Sequence, residues 1–291
     1  MVQYIDDFLT YLKDIKNASP NTISAYHNDL KKFKLFMEKL ELSNLTQISE
    51  TILNSYILNL ENQGFSNASV SRNIASIKSF MLFLLKEGVI SKDPSERLKP
   101  PKTVKKPPRT INVEQINQLL DKPDLSVKKG IRDKAMLELL YATGMKVSEL
   151  VSIKISDINL ERGYISCGKK RERNIPFGDL AKRSIQNYLE IRQDEFDKKN
   201  SCYLFLNYSG DKLSRQGFWK ILKEYANSLG FENINPNTIR HSFASHMMEN
   251  GADITSVQEL MGYTDIESAQ LYLPRQYSNS REVYLNTHPR A

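Results

Sequence analysis

The residue types best suited to chemistry fall in a few separated segments. Ile239-Arg240-His241-Ser242-Phe243-Ala244-Ser245-His246 puts one guanidinium and two imidazoles on what reads as a single helix. Gln258-Glu259-Leu260-Met261-Gly262-Tyr263 follows, with Tyr272 nine residues further on. Upstream, Arg132-Asp133-Lys134-Ala135 leads into Leu139 to Leu150 through Gly144-Met145-Lys146, and Gly168-Lys169-Lys170-Arg171-Glu172-Arg173-Asn174-Ile175-Pro176 reads as a basic hairpin turn. A guanidinium fork grips paired phosphate or carboxylate oxygens bidentately, where lysine acts as a point charge. A phenol with an ordinary pKa of about 10 is a poor nucleophile at neutral pH unless nearby cations favour its phenolate. The five-residue offset of His241 and His246 turns them about 140° apart on a helix, which disfavours joint metal ligation. Cys167 and Cys202, the only two cysteines, form neither a zinc motif nor a disulfide framework. No Walker loop, GxGxxG, HExxH or GxSxG occurs, so the commonest nucleotide, metalloprotease and hydrolase classes drop out.

Charge points to the partner. Lysine and arginine number 41 against 34 acids, a net charge of +7, which favours a polyanion over an acidic small molecule. The longest apolar run, Phe80 to Leu85, is far too short to cross a bilayer, so no membrane insertion is expected. Met1-Val2-Gln3-Tyr4-Ile5-Asp6-Asp7 carries acids where a secretory signal needs a basic stretch, so a cytoplasmic location is expected.

The elements that must position these side chains are mainly helices. Apolar spacing predicts two helices through Ile5, Phe8, Leu12 and Ile15 and through Ile23, Tyr26, Leu30, Phe33 and Met37, then two more over about 50–63 and 68–86. Residues 97–109, with four prolines, six basic residues and no acid, predict an extended linker between residues 1–96 and 110–291. Its charge reads equally as a solvated tether or as a strap along a phosphate backbone. Beyond it, Asn112 and Gln115 form a capping-box pattern, and a long helix is expected over about 129–142. Short β-branched runs at 157–160, 164–167 and 173–176 predict a small antiparallel sheet. Helices are expected again over about 179–198, 214–229, 237–249, 254–261 and 266–273. The fold class expected is thus mainly α, an N-terminal helical bundle followed by a mostly helical domain with one small sheet.

Taken in order, these segments resemble the tyrosine recombinase (phage integrase) family, and within it the bacterial Xer branch, whose pattern also matches Thr22, Tyr26, Asp29-Leu30 and Phe33 and the ending His288-Pro289-Arg290-Ala291. The resemblance implies a SAM-like helical DNA-binding domain and a catalytic domain closing as a clamp on duplex DNA. It implies strand exchange without metal or nucleotide cofactor, through a 3′-phosphotyrosine that keeps the phosphodiester energy in a protein–DNA bond. It assigns the nucleophile to Tyr272, transition-state binding to Arg240 and protonation of the leaving 5′-oxygen to Lys169. The turn is one residue shorter than the usual Xer pattern, which leaves Lys170 as a substitute. DNA contacts are expected from Lys170, Arg171, Arg173, Arg72, Lys78, Lys105 and Lys106. Four protomers on two sites are implied, from this chain alone or with a paralogous recombinase. A terminal helix at about 278–287 would dock on a neighbour, and a septal DNA translocase is a further partner. Chromosome dimers and mobile-element DNA both fit as substrates.

Three of the six active-site positions depart from the family pattern. Lys146 stands for the first arginine, keeping the charge but not the fork. Asn237 stands for histidine or lysine and cannot transfer a proton at neutral pH. Tyr263 stands for histidine or tryptophan, with a hydroxyl still able to reach a phosphate oxygen. Slow cleavage is expected, since one lost oxyanion donor costs about 2.7–4 kcal/mol. A DNA-binding protein that assists or regulates an active paralogue, and a nicking and closing activity without recombination, stay open beside the recombinase.

Overall fold

Serine caps start three of the first four helices. The hydroxyls of Ser19, Ser49 and Ser66 accept the amides of Thr22, Ile52 and Ser69 at 3.1, 3.3 and 3.3 Å, which satisfies donors that a helix start otherwise leaves open. The computed structural model describes residues 1–42, 44–101, 108–168, 172–197 and 199–272, in two compact units, Met1–Lys105 and Lys106–Ala291.

In the first unit α1 (Val2–Asp14), α2 (Pro20–Lys39), α3 (Glu50–Asn62) and α4 (Asn67–Lys86) form the expected bundle. Phe8, Phe33, Leu53, Tyr56, Ile77 and Phe80 fill its core. The short 3-10 turn Leu45–Gln47, too brief to show a period, was not expected. Inside the bundle the fully buried Asp29 of α2 receives Nε and Nη2 of Arg72 from α4 at 2.8 and 2.9 Å. Leu98, within the stretch expected as a linker, is buried in the core of this unit.

The second unit is arranged around α6 (Lys128–Thr143), buried over much of its length, with Arg132, Asp133 and Glu138 among the buried residues, and packed against α8 (Asp179–Glu195) and α10 (Pro236–Glu249). α5 (Val113–Asp121) opens the unit with the expected reciprocal capping of Asn112 and Gln115. α7 (Val147–Leu150) and α9 (Arg215–Ser228) complete this layer. The sheet is antiparallel in the order β1 (Ile158–Asn159), β2 (Tyr164–Cys167), β3 (Arg173–Pro176). Its register pairs Ile165 with Ile175 and Cys167 with Arg173, so Ile165, Cys167 and Ile175 are buried while alternate positions face outward.

Two helices and the last described residues make a separate small core. α11 (Ile254–Met261) lies beside α10 and α12 (Glu267–Gln270) beside α11, and Phe243, Met248, Val257, Met261 and Tyr272 close together. α12 is shorter than the 266–273 expected: the Tyr272 amide donates to the Ala269 carbonyl, a tight i to i+3 closure. No helix among the described residues is long and apolar enough to cross a membrane.

Candidate active site

Arg240 projects from the inner side of α10, whose start is fixed by Pro236 in its first turn and by the Asn235 side chain accepting the amides of Asn237 and Thr238. Its guanidinium is buried. One Nη donates to the Gly144 carbonyl and the other to the Met261 carbonyl, each at 2.5 Å. Both acceptors lie at helix ends, where carbonyls lack intrahelical donors and the dipole favours a cation. Arg240 therefore ties the end of α6 to the end of α11. Gly144 and Gly262 end those helices in the left-handed region, at φ 57° and 63°. A Cβ on Gly144 would lie 2.2 Å from the Phe243 ring, and one on Gly262 would lie 2.8 Å from the Arg173 guanidinium carbon.

The tyrosines gather at that arginine. The Arg240 guanidinium sits over the Tyr263 ring, 5.1 Å from its centroid. The Tyr263 and Tyr272 rings are nearly parallel, and their hydroxyls share a hydrogen bond of 2.9 Å. On its other side the Tyr272 hydroxyl meets Nδ1 of His241 at 2.5 Å. Tyr272 is only 5% exposed. Burial above all pushes its phenol well above the ordinary tyrosine range, with the charge of Arg240 pulling the other way. Burial, helped by the charge of Arg240, holds His241 below the usual imidazole value and so favours its neutral form.

A second arginine braces the same corner. Arg173 on β3 donates through Nε to the Leu260 carbonyl at 2.9 Å and through both Nη atoms to the two carboxylate oxygens of Glu149, each at 3.0 Å. Glu149 also accepts the Lys146 amide at 2.8 Å, which starts α7. Burial would raise the Glu149 carboxyl, but the bonds from Arg173 and Lys146 and the charge of Arg240 hold it below its ordinary range. Next to this corner a cavity of about 370 Å³ is lined by Glu172, Arg173, Gln258, Gly262 and Tyr263 among others.

Of the residues picked from sequence, Arg240, Tyr263 and Tyr272 stand together. Lys146 is exposed at the start of α7, two residues after the carbonyl that holds Arg240. Asn237 is exposed, one turn before Arg240 on α10. Lys169, Lys170 and Arg171, like Lys105, Lys106 and the expected terminal helix at 278–287, lie outside the described residues. Arg173, expected on DNA, has its fork on Glu149. Arg72 has its fork on Asp29, and Lys78 donates to the Glu96 carbonyl. Two residues at the site were not picked out. Glu149 had a signal, an acid three residues after a helix start, and His241 had one in its adjacency to Arg240. His246, considered with His241 for metal, instead meets the Tyr141 hydroxyl through Nδ1.

A helical bundle followed by a mostly helical unit with one small sheet is the domain order that the comparisons with known proteins identify. The Phage integrase family model matches residues 109–279, and the model of the Phage integrase N-terminal SAM-like domain matches residues 5–88; the chain belongs to this family. More narrowly it is an Xer-like tyrosine recombinase. It is 40% identical over 295 residues to tyrosine recombinase XerD of Staphylococcus haemolyticus, covering all of both chains. It is 38% identical over 297 residues to tyrosine recombinase XerC of Roseiflexus castenholzii, covering 100% of this chain and 95% of the other. The fold is also that of the XerH site-specific recombinase bound to its difH substrate, with TM-score 0.75 and 22% identity over 98% of this chain and 84% of that one. A lambda integrase dimer bound to a core site gives TM-score 0.75 at 15% identity, over 96% and 97% of the chains.

Proposed function

We propose that this site-specific recombinase cleaves duplex DNA by attack of the Tyr272 hydroxyl on a backbone phosphorus, leaving a 3′-phosphotyrosine and a free 5′-hydroxyl. Arg240 grips the non-bridging oxygens as charge builds on them, in a water-poor pocket where a fixed guanidinium is worth most. Lys146 adds charge from the start of α7, Tyr263 offers its hydroxyl, and Lys169 protonates the departing 5′-oxygen. Asn237 contributes no proton transfer, only a hydrogen bond. One observation carries the reading: the Tyr272 hydroxyl is bonded to Tyr263, whose ring lies against the Arg240 guanidinium.

The substitutions at Lys146, Asn237 and Tyr263 make this cleavage slow rather than absent. The protein works in the cytoplasm as four protomers on two sites, alone or with a paralogous recombinase, under a septal DNA translocase when the substrate is a chromosome dimer. The related XerH structure is of a protein bound to difH, which supports DNA as partner here too. A nicked suicide duplex tests the reading. The expected result is an SDS-stable adduct, lost in Tyr272→Phe; no adduct on DNA that the protein binds specifically would leave a DNA-binding protein on a recombinase scaffold, and plasmid relaxation without recombinants would leave a nicking and closing enzyme.

A further inference from the structure

Attack by Tyr272 requires that its proton go somewhere, and Asn237 cannot receive it. The only ring nitrogen bonded to the Tyr272 hydroxyl among the described residues is Nδ1 of His241, at 2.5 Å. We propose that His241 is the general base of strand cleavage, taking the Tyr272 proton on Nδ1 while the Tyr263 hydroxyl donates to the oxygen that becomes the phenolate. The inference rests on Tyr272 being the nucleophile.

The geometry supports each part. The Tyr272 oxygen carries one proton and has two partners, so a bond accepted from Tyr263 leaves its own proton aimed at Nδ1. As that proton leaves, the bond from Tyr263 becomes charge-assisted and strengthens. Arg240 lies over the Tyr263 ring, which withdraws charge from that ring and makes its hydroxyl a better donor. His241 is bonded to Tyr272 after α12 and feels the charge of Arg240 on its own helix, while Tyr141 of α6 is bonded to His246 instead. Burial and the neighbouring cation keep the imidazole neutral, the form that can accept.

The step balances. The Oη–H bond of Tyr272 breaks and its proton moves to Nδ1. The Oη–P bond forms and the P–O5′ bond breaks, and the 5′-oxygen takes a proton from Lys169. In the return step the incoming 5′-hydroxyl gives its proton to Lys169, and the imidazolium returns its own to the departing phenolate.

The probe is a nicked suicide duplex carrying a site that the wild-type protein selects from randomised DNA. His241→Ala and His241→Gln should slow adduct formation about a hundredfold or more at pH 7. Without a base the rate follows the phenolate fraction, so the deficit should shrink about tenfold per pH unit as pH rises; a deficit that is the same at every pH would be structural and overturns the proposal. A 5′-bridging phosphorothioate needs no proton on its leaving sulfur. It should rescue Lys169→Ala but not the His241 variants, and rescue of the latter also overturns it. Absence of a Tyr272-dependent adduct from the wild type defeats the nucleophile reading and this one together, whereas normal adduct formation by the His241 variants defeats this one alone. Should both variants misfold, ¹⁵N NMR of the wild-type protein decides: Nδ1 of His241 is expected unprotonated at pH 7, and a protonated Nδ1 overturns the assignment.

Discussion

Arg173 and Glu149 meet fork to fork, both Nη atoms 3.0 Å from separate carboxylate oxygens, and through Leu260 and Lys146 that pair joins β3, α7 and the end of α11. The two side chains are only 10% and 17% exposed, so removing either strands a poorly hydrated charge. Glu149→Gln and Arg173→Gln should each cost about 3 kcal/mol in urea unfolding, and the double variant less than their sum. The carboxyl of Glu149 is held below its usual range, so the unfolded chain binds the extra proton first. Its stabilisation is complete above the ordinary carboxylate pKa and fades as pH falls through the depressed value. Acid unfolding of Glu149→Gln should accordingly be flatter below pH 5 than that of the parent, and an unchanged acid profile would detach the pair from stability.

Gly144 and Gly262 should differ when given a methyl group, although both sit in the left-handed region. The atom in the way at 144 belongs to the Phe243 ring, 2.2 Å off and packed in the small core that holds Tyr272. At 262 it is the far end of the Arg173 side chain, at 2.8 Å. Each alanine carries a backbone cost of about 1 kcal/mol. Gly144→Ala should add about 1–3 kcal/mol of overpacking and displace a carbonyl that holds Arg240, so it should lose both melting temperature and adduct formation. Gly262→Ala should lose less stability. Equal melting temperatures would contradict this.

How far the sequence carried differs from residue to residue. The helices were legible because apolar spacing and polar caps such as Asn112 are local signals. The grouping of Arg240, Tyr263 and Tyr272 came from the order of the family's motifs and not from local spacing. The partners of the other arginines were hidden by chain separation: Arg72 and Asp29 lie 43 residues apart, and Arg173 and Glu149 lie 24 apart. Without that pairing both arginines read as free cations awaiting phosphate. α7 holds four residues, about one turn, and so shows no period. His241 was weighed only against His246 for a metal, and its meeting with Tyr272, 31 residues on, depends on how α10 and α12 pack.

Arg72 gives a test of structure against DNA contact. Asp29 is fully buried, and its other cationic neighbour, Lys32, stands at 3.4 Å. Arg72→Ala leaves a carboxylate that must be protonated or hydrated. Because the Arg72 side chain is itself 46% exposed, the loss should be about 1–2 kcal/mol rather than the larger cost of a fully buried pair. A lost phosphate contact would lower the slope of log affinity against log salt by about 1. The expected outcome is a lower melting temperature with an unchanged salt slope, and a reduced slope at unchanged stability would make Arg72 a DNA ligand.

The three departures from the family pattern should not respond alike when reversed. Lys146 is exposed beside the carbonyl that anchors Arg240, and Glu149 is already occupied by Arg173, so an arginine at 146 is free to present its fork to phosphate. Lys146→Arg should therefore raise the rate of adduct formation by about tenfold or more, toward the hundredfold scale of one oxyanion donor. Tyr263→His acts on a residue that here stacks under Arg240 and bonds the Tyr272 hydroxyl, so it removes two existing contacts while adding a ring nitrogen. Alone it should lower the rate. Asn237→His restores a proton-transfer group to an exposed position and should matter most in the Lys146→Arg background, since groups that act on one phosphate are not independent. Adduct formation by the single variants and the triple, under one pH and salt, checks the order; a gain from Tyr263→His alone would mean that the paired tyrosines contribute nothing to cleavage.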